Sequence, residues 1–247
     1  MKRVLQCFMG MAMVMSLGLA TPVSAWENGG ACSGLPGNSQ LQALLAEAPG
    51  TGGTAGGLFN GTLMWGAVVN REGELCAFVT STSNPNQVWP GSQAIAKAKA
   101  YTANAFSNDT LPLSTARLYT FSQPGHSLFG LNNSNPFNPQ DLVPPWGWGE
   151  GQTQIAGGII TFGGGVPLYQ NGKIIGGLGV SGDTACTDHE IAKRVRTLAG
   201  LDPPGGPSAD DIQYSSVDGA SVFTHPLCPN TYLNGKFIGN ELPSTGY

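Results

Sequence analysis

A hairpin, a loop and a helix occur in this order twice along the chain, and this repetition is the strongest constraint on its fold. In the first half, β-rich segments at 63–70 and 74–80 flank a tight turn, and an Ala-rich helix is predicted over Ser92–Phe106. In the second half, two β-rich segments flank Asn171-Gly172, a pair that favours the type I′ hairpin turn. Hairpins followed by helices predict an antiparallel sheet with helices packed on it, an α+β fold, rather than a parallel sheet.

Three further elements are predicted from local patterns. A short amphipathic helix is expected over Ser39–Ala48, where leucines recur at helical spacing before a Pro-Gly stop. Thr187 and Glu190 have the spacing of a capping box, which predicts a helix from Asp188 to about Leu198. A short strand is expected at 118–121.

The first 25 residues have the three parts of a secretory signal. Lys2 and Arg3 precede an apolar run over 4–20, and residues 23–25 form the small-x-small pattern that signal peptidase recognises. The run is shorter than the ~20 residues that a membrane anchor needs. The sequence therefore predicts cleavage after Ala25 and a periplasmic or secreted protein.

Charge and composition exclude one class of partner and indicate one domain. The formal charge is −4 with 11% charged residues, and removal of the signal would take away two basic residues and no acidic one. Such a chain has no basic surface for phosphates, so we expect no nucleic-acid partner. No later apolar run is long enough for a membrane span. Residues 26–247 are predicted to form one domain, with a core at about 39–200 and an irregular tail at 201–247.

Four cysteines remain after signal removal: Cys32, Cys76, Cys186 and Cys228. An even number in an oxidising compartment predicts two disulfides, and three pairings are open. The absence of a C-x-x-C spacing argues against a zinc site or a thioredoxin-type redox pair. We predict Cys32 with Cys76 and Cys186 with Cys228, because each bond would tie an irregular terminal segment to an ordered element.

Two short motifs in the second half imitate functional fingerprints. GLGVSG, at residues 177–182, matches the dinucleotide-binding glycine pattern, but Asp202 precedes two prolines instead of ending a strand. We interpret these glycines as packing sites for a strand against a helix. Ser181 lacks the second glycine of a nucleophile elbow, since Asp183 stands there. The nearby Asp188 and His189 suit either helix capping or a metal or proton-transfer site.

Three blocks resemble the GlcG/HbpS-like haem-binding family, which is also similar to the C-terminal domain of some cobalamin adenosyltransferases. They are GAVVNREGELCAFV (66–79), the helix with Lys99-Ala100-Tyr101-Thr102-Ala103, and GGGVPLYQNGKIIGGLGVSGDTACTDHEIA (163–192). The resemblance covers most of residues 60–200. It implies a profilin-like or PAS-like α+β fold, with an antiparallel sheet of about five strands and flanking helices, and an oligomeric assembly.

The resemblance implies haem as the ligand, and the residues indicate where haem would bind. Residues 122–154 show no periodicity, and so long an irregular segment is either functional or disordered. Within and beside it lie His126, Phe129, Phe137, Trp146 and Trp148, an imidazole and aromatic rings of the kind that haem needs. We predict His126 as the axial ligand of the iron. The aromatic rings suit equally a core or a contact between copies, and a homo-oligomer is expected.

Lys99 and His189 complete the set of candidate ligand-binding residues. Lys99 lies on the predicted helix 92–106 and His189 at the start of the helix near 188. Their alternative use is in an enzyme that acts on a small oxidised acid, of the glycolate-utilisation type, or on haem itself, with Asp188 nearby. The sequence leaves binding protein and enzyme both open.

Overall fold

The computed structural model describes residues 30–137 and 155–243, and an antiparallel sheet forms its centre. Its strands are β1 (Trp65–Asn70), β2 (Leu75–Thr80), β3 (Gly165–Gln170) and β4 (Lys173–Ser181), in the order β2-β1-β4-β3. The two predicted hairpins are therefore present, and pairing of β1 with β4 joins them. Asn171 and Gly172 have φ angles of 51° and 74°, left-handed at both positions as the type I′ turn requires.

Helices cover both faces of the sheet. They are α1 (Asn38–Glu47), α2 (Ser92–Phe106) and α3 (Ala185–Leu198). Trp65, Ala67 and Val69 of β1 pack with α2, whereas Val68 belongs to the apolar cluster that contains residues of α1 and α3. Because both faces are covered, all six residues of β1 are buried. The predicted α+β class is confirmed, as a three-layer arrangement with four strands in the main sheet of the described residues, where about five were expected.

The tail contains more regular structure than its Pro and Gly content predicts. A short helix, α4 (Ser215–Asp218), precedes a second hairpin of β5 (Thr231–Leu233) and β6 (Lys236–Gly239). Its turn is Asn234-Gly235, with φ angles of 51° and 76°, the same signal that marks the β3–β4 turn. The prediction of an irregular tail missed it.

The tail packs on α3 through charge pairs and a disulfide. Arg196 of α3 contacts Asp210 with both guanidinium ends, at 2.8 and 2.7 Å, and Lys193 lies 2.7 Å from Asp211. The disulfides join Cys32 to Cys76 and Cys186 to Cys228, which confirms the predicted pairing. As a result α3 is buried continuously from Cys186 to Arg196, polar side chains included.

Two local predictions are wrong. Helix α3 begins three residues earlier than the capping box implied, since the N-cap is Thr184, whose side chain accepts a hydrogen bond from the Thr187 amide. Segment 118–121 is not a strand but lies in 3₁₀ turns over Thr115–Leu118 and Thr120–Ser122. In these turns side-chain hydrogen bonds take the place of strand pairing. For example, the Thr115 hydroxyl donates to the Phe162 carbonyl at 2.6 Å.

The structure bears on the prediction that no later segment spans a membrane, but it does not describe the predicted signal segment. Among the helices that the structure describes, none has the length and apolar character needed to cross a bilayer. The predicted signal segment, 1–25, lies outside the described residues, as do Trp146 and Trp148 of the long loop.

Candidate functional site

The three histidines of the chain occupy contrasting environments. His126 is exposed on the long loop, and its ring makes no hydrogen bond to any residue that the structure describes. His189 and His225 are buried. Of the three, His126 alone offers an imidazole to a ligand that arrives from solvent.

The segment around His126 is a chain of tight turns. The Phe129 amide donates to the His126 carbonyl at 3.2 Å, and the Leu128 amide donates to the Phe121 carbonyl at 3.0 Å. These turns leave the Phe129 ring 67% exposed beside the histidine, with Leu128 also exposed. A phenyl ring held out into water is unfavourable, so this surface is suited to cover an apolar partner or ligand.

Polar contacts hold this loop on the body of the domain. The Ser122 hydroxyl shares a 2.8 Å hydrogen bond with the Thr161 hydroxyl, which also contacts Asn132 at 3.0 Å. The Thr120 hydroxyl donates to the Thr224 carbonyl at 2.6 Å, which ties the loop to the tail. The turn that carries His126 is therefore anchored at its base while its tip stays exposed.

His225 is fixed between the loop and the core. The Gly163 amide donates to its Nε2 at 3.3 Å, so Nδ1 carries the proton and donates to the Pro226 carbonyl at 2.7 Å. The ring packs against Tyr119 with 5.0 Å between centroids. Burial lowers the pKa of His225 to about 4, which keeps the imidazole neutral at physiological pH.

Lys99 is in the interior, where it forms a closed polar cluster. Its Nζ lies 2.6 Å from Asp188 Oδ2 and donates to the Val180 carbonyl at 3.0 Å. The Phe162 ring is 4.9 Å away. The other carboxylate oxygen of Asp188 accepts the amides of Gly182 and Asp183 at 3.1 and 2.9 Å. Burial raises the pKa of Asp188 to about 6 and lowers that of Lys99, and the opposite charge of each partner offsets part of that effect.

His189 is held by the tail. The Ile212 amide donates to its Nε2 at 3.1 Å, and its Nδ1 is buried without a hydrogen-bond partner in the described structure. The four candidate residues thus fall into two groups: His126 and Phe129 at the surface, and Lys99 and His189 in the interior. A ligand from solvent reaches only the first group as the chain is folded here.

The acidic residues near the start of α3 hold the fold together. Asp183 accepts the backbone amides of Leu58 and Phe59 at 2.7 and 2.8 Å, and so anchors the segment before β1. Glu190 contacts Arg194 at 3.0 Å instead of capping the helix. The capping box of Thr187 and Glu190 is therefore wrong, because Thr184 is the N-cap and Glu190 pairs with Arg194 one turn further along α3, while Asp188 lies in the first turn of the helix as expected.

One cluster escaped the sequence reasoning. The ligand atoms of Cys186, His225 and Cys228 all lie within 4.8 Å of one another, and the three residues are buried. The signal was present, as His225 precedes Cys228 by three residues. Only a C-x-x-C spacing was considered, and that spacing is absent.

Comparisons with known proteins add a family. A family model described as "Haem degrading protein HbpS-like" matches residues 57–196. The corrinoid adenosyltransferase PduO of Citrobacter freundii is 32% identical over 102 residues, 41% of this chain and 23% of PduO. An uncharacterised 15.0 kDa protein from the dhaT-dhaS intergenic region of the same organism is 35% identical over 95 residues, 38% of this chain and 49% of that protein. The matches thus span a quarter to a half of these relatives.

Solved structures with a similar arrangement include a PduOC–haem complex and HbpS. The first has a TM-score of 0.46 and 23% identity, with 66% of this chain and 91% of that chain covered. The second has a TM-score of 0.43 and 17% identity, with coverage of 76% and 97%.

Proposed function

Because this chain belongs to the HbpS-like family of haem-degrading proteins, we propose that it binds haem at the surface formed by His126 and Phe129. The observation that carries the proposal is the contrast among the histidines. The imidazole of His126 is exposed and makes no hydrogen bond to a described residue, whereas the Nε2 atoms of His189 and His225 each accept a hydrogen bond from a backbone amide. Haem iron can be held by a single axial imidazole.

The residues present fit a porphyrin in two respects. An exposed imidazole supplies the donor atom, and the exposed rings of Phe129 and Phe137 supply apolar surface for a flat ligand. Haem, when bound, supplies an iron that exchanges ligands and electrons. The protein residues hold it, with His126 as donor and Phe129 as a packing surface.

Binding is better supported than catalysis through Lys99 or His189. Both side chains are buried, and each is held by partners from another element of the fold. No observation on the described residues places either of them beside a cavity large enough for an acid substrate. The enzymatic alternative therefore has no geometric support here.

A haemin titration of the purified protein tests the proposal. We expect a Soret band that saturates at one haem per chain, and a shifted band with weaker binding in His126→Ala. Ser127→Ala is the matched control, because Ser127 is the exposed neighbour and its side chain makes no hydrogen bond to a described residue. Absence of any Soret change in the parent protein would overturn haem binding. An unchanged spectrum in His126→Ala would remove His126 as ligand.

Export and self-association are further parts of this proposal. We propose that the protein works in the periplasm or outside the cell, because two disulfides suit an oxidising compartment. N-terminal sequencing of the fractionated mature protein should begin at Trp26, and a start at Met1 would contradict export.

We also propose a homo-oligomer, since Leu128, Phe129 and Ile155 expose apolar surface. A monomer mass measured by light scattering would contradict self-association.

A further inference from the structure

The disulfide between α3 and the tail lies beside a buried histidine, one ring nitrogen of which lies near both sulfur atoms. Cys186 Sγ, Cys228 Sγ and a ring nitrogen of His225 form a group within 4.8 Å. All three residues are buried, and they come from the start of α3 and from the tail. Two thiolates and an imidazole are a ligand set typical of zinc.

The histidine ring is held in one tautomer, with the proton on Nδ1 and the lone pair on Nε2. Its Nδ1 donates to the Pro226 carbonyl at 2.7 Å, which fixes the ring and leaves the lone pair on Nε2. Metal-bound histidines have this arrangement, in which the other ring nitrogen donates to a carbonyl or carboxylate. The bond that Nε2 accepts from Gly163 is long, at 3.3 Å, so a cation would displace little.

The sulfur of Cys228 sits where negative charge is stabilised. It accepts the backbone amide of Cys186 at 3.2 Å, and Cys186 is the second residue of α3. The N-terminal end of a helix carries partial positive charge and favours a thiolate. The Thr231 hydroxyl, which accepts the Cys228 amide at 2.8 Å, fixes the backbone at the same residue.

We propose that reduction of the Cys186–Cys228 disulfide turns this cluster into a site for Zn²⁺, with Cys186, Cys228 and His225 as ligands. A dithiol reductant supplies the two electrons and two protons: the protein disulfide becomes two thiols, and the dithiol becomes a disulfide. Binding of Zn²⁺ then releases the two thiol protons to solvent, and water takes the fourth position.

The geometry needs small movements only. Donor atoms of a tetrahedral zinc site with these ligands are about 3.5–3.8 Å apart. The sulfur atoms separate once their bond is broken, and the imidazole has to approach them by roughly 1 Å, since no two ligand atoms are now more than 4.8 Å apart. The cation would then hold the tail on α3 in the reduced protein, as the disulfide does in the oxidised one.

The test uses the full chain with Cys32→Ser/Cys76→Ser, which removes the other disulfide and leaves the proposed ligands intact. After reduction and removal of the reductant without air, Zn²⁺ is titrated against a chromophoric chelator. We expect one Zn²⁺ per reduced chain and none per oxidised chain. Co²⁺ in place of Zn²⁺ should give a thiolate charge-transfer band and tetrahedral d–d bands.

Variants of the three ligands separate this site from adventitious binding. His225→Gln, Cys186→Ser and Cys228→Ser should each weaken Zn²⁺ affinity by more than the ~10–100-fold that loss of a hydrogen-bond partner behind a metal ligand costs, because each removes a ligand itself. Unchanged affinity in His225→Gln, or no Zn²⁺ bound by the reduced parent, overturns the proposal. Near-UV circular dichroism must show a folded signal in the zinc-bound protein, since zinc held by an unfolded chain also overturns it.

Discussion

Asp188 Oδ2 lies 2.6 Å from the Nζ of Lys99, and this contact joins two helices on opposite faces of the sheet. The side chains are 0% and 2% exposed, so the ion pair is shielded from water and salt. A buried pair contributes little by itself, but loss of one partner leaves the other charge buried without compensation.

Replacement of Lys99 by Met should therefore destabilise the fold strongly. We expect a loss of about 3–5 kcal/mol in the free energy of unfolding, measured by urea denaturation. The double variant Lys99→Met/Asp188→Leu should recover part of this loss, because no charge remains buried. Lys173→Met is the control: its partner Asp109 is 2.7 Å away, but that pair is exposed, and the midpoint of urea denaturation should hardly move. A Lys99→Met protein as stable as its parent would refute the role of the pair.

A second prediction concerns the close approach of α2 to β4. A Cβ atom on Gly179 would run into the carbonyl oxygen of Ala96, and one on Gly177 into that of Ala100. Gly179→Ala should then force α2 away from the strand and cost about 1–3 kcal/mol or more in unfolding free energy. Gly91→Ala is the control, since a Cβ there meets nothing within 4 Å. Equal melting temperatures for the two variants would contradict the packing argument.

These glycines also show how far the sequence alone could be followed. GLGVSG was interpreted as a packing motif, and Gly177 and Gly179 indeed lie within β4 against α2. Hairpins and the helix over Ser92–Phe106 are predictable because their signals are local: alternation, Asn-Gly and Ala content. The Asn234-Gly235 hairpin carried the same signal and was obscured by the Pro-rich surroundings.

The site was less predictable because tertiary contacts decide which groups are free. His126 was singled out as the imidazole of the long irregular segment, and it is exposed in the structure. Lys99 and His189 were kept as further candidates because the sequence does not show whether they are buried. Their burial depends on partners far along the chain: Asp188 for Lys99, and Ile212 for His189. No local sequence pattern predicts contacts between residues so far apart along the chain.

A third prediction follows from the buried imidazole of His225. Burial lowers its pKa to about 4 from the usual 6.5, so between these values the unfolded chain binds a proton that the folded chain does not. The contribution of His225 to the free energy of unfolding should therefore fall as pH falls from 6.5 towards 4, by about 2 kcal/mol at pH 5, while the raised pKa of Asp188 opposes part of this loss in parent and variant alike. Urea denaturation of the oxidised, metal-free protein at several pH values measures this. His225→Gln should flatten the profile in this window, and identical slopes for parent and variant would refute the assignment.

The last prediction compares the two disulfides, which close loops of nearly equal length, with sequence separations of 44 and 42 residues. Both disulfides therefore restrict the unfolded chain to a similar degree, and each should stabilise the folded state by about 4 kcal/mol through this effect. They differ in their surroundings. Cys186 and Cys228 are 1% and 7% exposed in an apolar cluster with Ile212 and Tyr214, whereas Cys32 and Cys76 are only partly buried.

Removal of the buried pair should for this reason cost more than removal of the other. Cys186→Ala/Cys228→Ala loses the same chain restriction as Cys32→Ala/Cys76→Ala and in addition leaves a cavity beneath the tail, which we expect to add about 1 kcal/mol or more. Urea denaturation of the two double variants without metal gives the difference directly. Peptide mapping confirms that the remaining disulfide is intact in each. If the variant without Cys32 and Cys76 is the less stable of the two, the tail contributes less to the core than its contacts with α3 indicate.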